Sequence, residues 1–236
     1  CIILIGVIAA YLFIPVSHAA GPNRKTIAVL PFTNFTGHKE DEYFVDGMTE
    51  DILAQLTKIS DLKVISRTTM MQYKGSTKLL KEIGKELNAG VVLEGSIRRA
   101  DDSIRIVAQL IDANTDDHLW SDTYDREDKQ VFAIQSEIAR SIASSLQAKL
   151  SPIEQERITK PATTNTEDYN AYLQGRYYAK LRTKEGYEQA ITYYEKALRL
   201  DSNYALVLCD LALAHTSQAD YGYEAIDDSY IAARQK

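Results

Sequence analysis

Residues 91–127, VVLEGSIRRADDSIRIVAQLIDANTDDHLWSDTYDRE, decide the fold. In the middle of this run Ile104, Ile106, Ala108 and Leu110 alternate with Arg105, Val107, Gln109 and Ile111. That period of two is what a strand shows when one of its faces is buried, because successive side chains point to opposite sides. The flanking segments Val91–Arg98 and His118–Tyr124 are rich in Val, Ile, Leu, Trp, Tyr and Thr. Ala100-Asp101-Asp102-Ser103 and Asn114-Thr115-Asp116-Asp117 separate the three runs. Asp, Asn and Ser favour turns because their short side chains bond the nearby backbone. The stretch therefore reads as a three-stranded meander whose apolar face must be covered by helices from elsewhere in the chain.

Those helices are legible on both sides. Thr26–Phe32, TIAVLPF, reads as an apolar strand ended by Pro31, and Thr33–Glu40 as a loop. From Tyr43 to Ile59 the residues Phe44, Met48, Ile52, Leu56 and Ile59 recur at spacings of four and three, one helical stripe. Leu62–Ser66 is a second short strand, so strand, helix and strand suggest a right-handed βαβ unit. Thr68–Tyr73 reads as a short helix ended by Lys74-Gly75. Leu79, Leu80, Ile83 and Leu87 form an amphipathic helix that stops at Asn88-Ala89-Gly90, with Gly90 as its left-handed cap. After the meander, Val131–Leu150 reads as one long helix with Phe132, Ile134, Ile138, Ile142, Leu146 and Leu150 on its apolar side, closed by Ser151-Pro152. Together these make one α/β domain over residues 24–152.

Composition bounds the function. With 236 residues, 45% of them hydrophobic and 25% charged, the chain can hold a full core and a second, smaller unit. A net charge of −6 argues against an electrostatic footprint for nucleic acid spread over the whole chain. Cys1 and Cys209 give no disulfide framework, and His18, His38, His118 and His215 fall in four separate segments without ligand spacing. Cys1–Val16, CIILIGVIAAYLFIPV, carries no charge. It reads as the end of a transmembrane helix or as the apolar region of a signal peptide, with Ser17 and Ala19 as the small residues before cleavage. Either reading puts the rest of the chain outside the cytoplasm. A start at Cys1 and an end inside a helical pattern at Lys236 lead us to expect a piece of a longer protein.

The residues IAVLPF (27–32), DGMTEDI (46–52), VISRT (64–68), YKG (73–75), IGKELN (83–88), VLEGSIRR (92–99), AQLIDANT (108–115), HLW (118–120), YDRE (124–127) and VFAIQSEIA (131–139) occur in order along the domain. In these the chain resembles the TolB-like family of extracytoplasmic α/β domains. That family usually has Gly after the Thr of the second hairpin, where Asp116 stands here. The resemblance implies a domain without an established active site, sitting outside the membrane behind a single anchor. It also implies a cytoplasmic part upstream, commonly a class III nucleotide cyclase or a winged-helix DNA-binding domain, neither of which is in this sequence.

Pro161–Thr166 is a polar linker, and beyond it the pattern changes. Gly175, Tyr178, Ala190, Tyr194 and Ala197 resemble the signature of a tetratricopeptide repeat, in which small residues let paired helices approach and aromatics fill the gap beside them. Ala212, with Leu208 and Leu211 beside it, falls where a second repeat wants its small residue. The array is assigned to residues 166–236, with further repeats expected after Lys236. Three extra residues between Gly175 and Ala190 lengthen the turn around Thr183–Glu185, and Ser202 replaces the usual Pro.

Three clusters invite a chemical reading. Asp46 with Glu50 and Asp51 suggests a metal or acid/base site, but carboxylates in a helix first turn answer to the macrodipole. Asp116, Asp117 and His118 sit in a hairpin, where adjacent residues point to different faces. Arg98 and Arg99 read as solvated strand-end charges, and Trp120 as core. No phosphate loop, HExxH, CxxC or GxSxG occurs. The expectation is no catalytic residue, no cofactor and no metal. The tyrosines of the second unit (Tyr172, Tyr177, Tyr178, Tyr187, Tyr193, Tyr194, Tyr204, Tyr221, Tyr223 and Tyr230) exceed what repeat cores need, and the surplus could line a concave protein-binding face.

The sequence thus leads to three readings. The first is a membrane-anchored, non-catalytic sensing or scaffolding protein of the bacterial inner membrane, single-pass, with residues 21–236 periplasmic and protein partners held by the repeats. The others make the chain the regulatory half of a nucleotide cyclase or of a winged-helix transcriptional regulator.

Overall fold

A computed structural model describes residues 23–223, apart from 101, 162 and 164. The elements in chain order are β1 (Thr26–Val29), β2 (Thr33–Asn34), α1 (Glu42–Thr57), β3 (Lys63–Val64), α2 (Arg67–Met70), α3 (Leu80–Leu87), β4 (Val91–Ala100), β5 (Ser103–Asp112), β6 (His118–Glu127), α4 (Val131–Ser145), α5 (Pro152–Thr159), α6 (Thr166–Ala179), α7 (Lys184–Leu200) and α8 (Ala205–Asp220). The apolar run before residue 17 lies outside the described residues. Among the described residues no helix is long and apolar enough to cross a membrane.

The meander forms as its alternation requires. β4, β5 and β6 pair antiparallel, with Leu93 opposite Leu110 and Ile97 opposite Ile106. β1 lies between β3 and β4, parallel to both, so the sheet order is β3-β1-β4-β5-β6, with β2 beside the far half of β4. Ile104, Ile106, Ala108 and Leu110 are buried on one face, and Phe44, Met48, Ile52 and Leu56 of α1 with Ile134, Ile138 and Ile142 of α4 join the same core. On the other face Ala28, Met70, Ala89, Val92 and Ala113 form a second, smaller core with Leu80 and Leu87 packed against it. Trp120 is only half buried, packed against the larger core.

Three local expectations are corrected. The left-handed cap of α3 is Asn88, at φ 50 and ψ 39, not Gly90. Gly90 is needed for a different reason: a Cβ there would lie 2.5 Å from the carbonyl carbon of Asn23 and 2.6 Å from the Arg24 nitrogen. The helix from Val131 ends at Ser145 and does not reach Leu150. Gln147, at φ 50, turns the chain so that the Ala148 N–H donates to the Ala143 carbonyl, a six-to-one closure that satisfies a helix-end acceptor. Ser151-Pro152 then opens a helix instead of closing one. The Ser151 side chain accepts from the Glu154 N–H, the Glu154 carboxylate accepts from the Ser151 N–H, and Pro152 takes the first turn, where no donor is missed. α5 folds back on α4, its Ile158 fully buried and the Ile158 carbonyl accepting from the Ser136 hydroxyl at 2.7 Å.

The turn at Asp116 holds. Asp116 sits at φ 64, a conformation that Asp tolerates better than most side chains, so it fills the position where the resembled family has Gly.

In the second unit α6 packs on α7, and α7 on α8. A Cβ at Gly175 would overlap the Tyr194 ring, while Ala190 and Ala197 are wholly buried, as the repeat spacing predicts. Arg182 takes φ 52 in the lengthened turn, and the Thr183 hydroxyl caps α7 by accepting from the Gly186 N–H. One buried apolar cluster runs from Ile27 in the sheet to Ala214 in α8. The two units therefore share a core.

Candidate functional site

The seam between the sheet domain and the repeats is built on α1. Its apolar stripe faces the sheet. Gly47 with Glu50 and Asp51, three and four residues on, and Ala54 beyond them lie on a common helix face and serve the seam. A Cβ at Gly47 would stand 2.5 Å from Cδ2 of Leu173, so glycine is what lets α6 come this close.

The charges follow. The Glu50 side chain is 7% exposed and pairs with Arg67 of α2, with Arg176 of α6 and with Lys180, which caps the C-terminal end of α6. Asp51 accepts from the Tyr169 hydroxyl at 2.6 Å and from Arg176 Nη1 at 3.3 Å. Gln135 of α4 donates to the Tyr169 oxygen at 2.9 Å, completing a chain from α4 through α6 to α1. Burial pushes the Asp51 carboxyl above the usual carboxylate range, although Arg176 and the Tyr169 hydrogen bond pull the other way. Burial, and then Asp51 itself, hold the Tyr169 hydroxyl well above its ordinary value. Burial opposes the Arg176 charge, but Glu50 and Asp51 outweigh it and the guanidinium is held more firmly than in water. Lys180 ends lower than usual, because burial outweighs its pairing with Glu50.

One further contact ties the units. Arg99 is not a solvated strand end: its side chain is 19% exposed, pairs with Asp128, lies over the Phe44 ring at 4.7 Å and reaches Asn170 of α6 at 3.4 Å. Arg98 is exposed, as expected. The first-turn account of Asp46, Glu50 and Asp51 is also overturned. All three lie well inside α1, and each is engaged by a cation, Lys74 meeting Asp46 at 2.7 Å. Desolvated carboxylates need such partners, whereas the dipole acts only over a helix's end turns.

A groove of about 500 Å³ runs along α6, α7 and α8, with Tyr187, Tyr194, Leu213 and Tyr221 among its walls. Arg176 and Lys180, the two cations that bridge to Glu50, also line it. Of the surplus tyrosines, Tyr172, Tyr187, Tyr194 and Tyr204 are buried, Tyr178 stacks on Tyr193 at 5.5 Å, and the exposed Tyr221 meets Tyr187 at the groove. Tyr230 lies outside the described residues. Asp116, Asp117 and His118 are exposed at their turn. Among the described residues no group of three or more His, Cys, Asp or Glu is placed to hold a metal ion.

Sequence reasoning missed the basic pair Arg176 and Lys180. Their spacing of four puts them on one face of α6, and that was the available signal. What it could not supply was the acidic partner, 126 residues away.

Comparison with known proteins adds the following. Residues 181–218 match a tetratricopeptide repeat model. A Rhizobium meliloti (strain 1021) protein named "Putative adenylate cyclase 3" is 44% identical over 155 residues, which are 66% of this chain and 26% of that protein. The chain thus spans about a quarter of that relative. TolB from Acinetobacter baumannii matches over 51% of this chain and 28% of its own, at 14% identity and a TM-score of 0.39. Lipoprotein GNA1162 from Neisseria meningitidis matches over 52% of this chain and 99% of its own, at 16% identity and a TM-score of 0.40. Likeness at those scores carries nothing about function. Neither of the two family models is of a catalytic domain. Residues 23–141, just over half of the chain, match the HilA/YgeH-like transcriptional regulator second domain, and the chain belongs to that family.

Proposed function

We propose that the chain is the non-catalytic regulatory part of a signalling protein: the repeats take a protein partner, and the sheet domain receives the consequence. One observation carries this reading. Arg176 and Lys180 stand in the repeat groove and at the same time hold Glu50 of the sheet domain. Asp210 and Asp220 also line the groove, so a segment that brings a single carboxylate to Arg176 and Lys180 competes with Glu50 for the same cations. Binding is thereby coupled to the seam through differential contacts, as any ligand-driven shift requires. Repeat arrays present concave surfaces of this kind to protein segments.

We further propose a single-pass anchor at residues 1–20, with the remainder extracytoplasmic; the charge-free apolar run supports it. The effector domain lies elsewhere in the longer protein. The Rhizobium relative supports a nucleotide cyclase, and the regulator family supports a transcriptional effector.

The test places a photo-crosslinking residue at Ser217, which lines the groove, or at Ser121 on β6 as a control. In cells, Ser217 should give a discrete protein adduct that Leu213→Arg abolishes. Equal adducts from both positions, or none from Ser217, refute the protein-binding reading. Leu213→Arg in the longer protein should also change its output, read as cyclic nucleotide or as transcription.

A further inference from the structure

A second concavity opens at the seam and shares no lining residue with the repeat groove. We infer that it is a binding site for a small aromatic molecule carrying one anionic group, a class that the protein-binding reading neither requires nor predicts. Its volume is about 580 Å³, within the range of small-molecule sites, and it lies between two structural units, where such sites concentrate.

The walls are aromatic. Phe132 meets Tyr169 edge-on at 4.9 Å between ring centres, and Tyr172 meets Tyr204 at 5.2 Å. Leu206, 48% exposed at the start of α8, adds apolar surface. Tyr169, Tyr172 and Tyr204 are almost wholly buried and form the floor of the crevice, while half-buried Phe132 and exposed Leu206 supply the apolar surface that a flat body meets.

The charge in the crevice is one-sided. Lys58, Arg157 and Lys160 line it, and among the described residues the only carboxylate lining it is Asp51. Asp51 is already taken by Tyr169 and Arg176. Lys58 donates to Gln55 Oε1 and to the Arg157 carbonyl, both at 2.9 Å, which leaves one ammonium hydrogen for a ligand. No carboxylate among the described residues forms an ion pair with Arg157 or Lys160. Arg157 and Lys160, neither ion-paired among the described residues, stand beside an apolar wall and complement an anion joined to a ring, while Lys58 already feels the charge of Asp51. Since Lys58 and Arg157 belong to the sheet domain and Tyr172 and Tyr204 to the repeats, such a ligand touches both units at once.

The test uses the whole 236-residue chain, with naphthalene carboxylate as the probe and naphthalene carboxamide as its uncharged counterpart, followed by titration calorimetry. The expected result is saturable binding at one site per chain, with the carboxamide about tenfold weaker, the size of one lost charge-assisted hydrogen bond. Arg157→Gln combined with Lys160→Gln alters only exposed positions and should weaken the carboxylate about tenfold while leaving the carboxamide unchanged. Ala54→Phe, at an exposed wall position of α1, should fill the crevice and abolish binding of both. Equal affinity for the two probes, binding that persists in Ala54→Phe with an unaltered circular dichroism spectrum, or insensitivity to the double charge variant would each overturn the assignment, as would the absence of saturable binding.

Discussion

The two faces of α1 solve the same packing problem with opposite chemistry. Toward the sheet, Phe44, Met48, Ile52 and Leu56 form a dry apolar stripe against Ile104, Ile106 and Leu110. Toward α6, Gly47 admits Leu173, and Glu50 and Asp51 gather Arg67, Arg176, Lys180 and Tyr169. An apolar face gains free energy in proportion to buried area and tolerates small shifts. A buried ionic face gains little over an apolar one of the same shape, but loses heavily if one partner leaves. The sheet face therefore carries most of the stability, and the α6 face is the one most sensitive to the loss of a single partner.

The contrast can be broken from either side. The largest effect is expected from Ile106→Ala, which opens a cavity in the meander core and should cost about 2–5 kcal/mol. Chemical denaturation should show one transition at a lower midpoint, and an unchanged midpoint would remove Ile106 from the core. Glu50→Ala comes next. It leaves Arg67, Arg176 and Lys180 facing each other, and because those side chains keep 23–33% of their surface, the cost should be roughly 2–3 kcal/mol. Its loss should fall on the repeats, seen as faster amide exchange in α6 and α7 with β5 still protected. Uniform acceleration through both units would show that the seam is not where Glu50 acts.

The smallest effect concerns acid. The Ser151 hydroxyl, then the Ser60 N–H at 2.8 Å, hold the Glu154 carboxyl at about 2, below its ordinary 4.5. A lowered carboxyl stabilises the folded state above its unfolded value, and that contribution is lost as pH falls through the folded one. The difference in unfolding midpoint between the native chain and Glu154→Gln should thus be constant near neutrality and shrink between pH 4.5 and about 2. A difference that does not change with pH would mean that the capping box works without the charge.

The same contrast explains what the residues disclosed in advance. The sheet face is a local pattern: alternation in β5 and a three-four stripe in α1 are each visible within a dozen residues or so. The repeat signature is similarly local, Gly175, Ala190 and Ala197 being small because ring and helix come close. The seam has no such pattern. Glu50 and Arg176 are ordinary surface types until α6 folds over α1, and Arg99 reads as solvated until Asp128 and Asn170 arrive. The backbone corrections have a common cause as well. Asn88 and Gln147 take the left-handed conformation usually left to glycine, so a search for Gly misplaces α3's cap and overruns the end of α4.

The central claim is that Glu50 fastens the repeats to the sheet domain strongly enough for both to unfold together. Trp120, the only tryptophan, reports on the meander, and exposed Cys209 on α8 can carry a fluorescent label once Cys1 is replaced by Ser. In the native chain the denaturant transitions of the two probes should coincide, as a single cooperative unit requires. In Glu50→Ala the Cys209 transition should move to lower denaturant, ahead of that of Trp120. Separate transitions in the native chain, or transitions that still coincide in Glu50→Ala, would contradict the account.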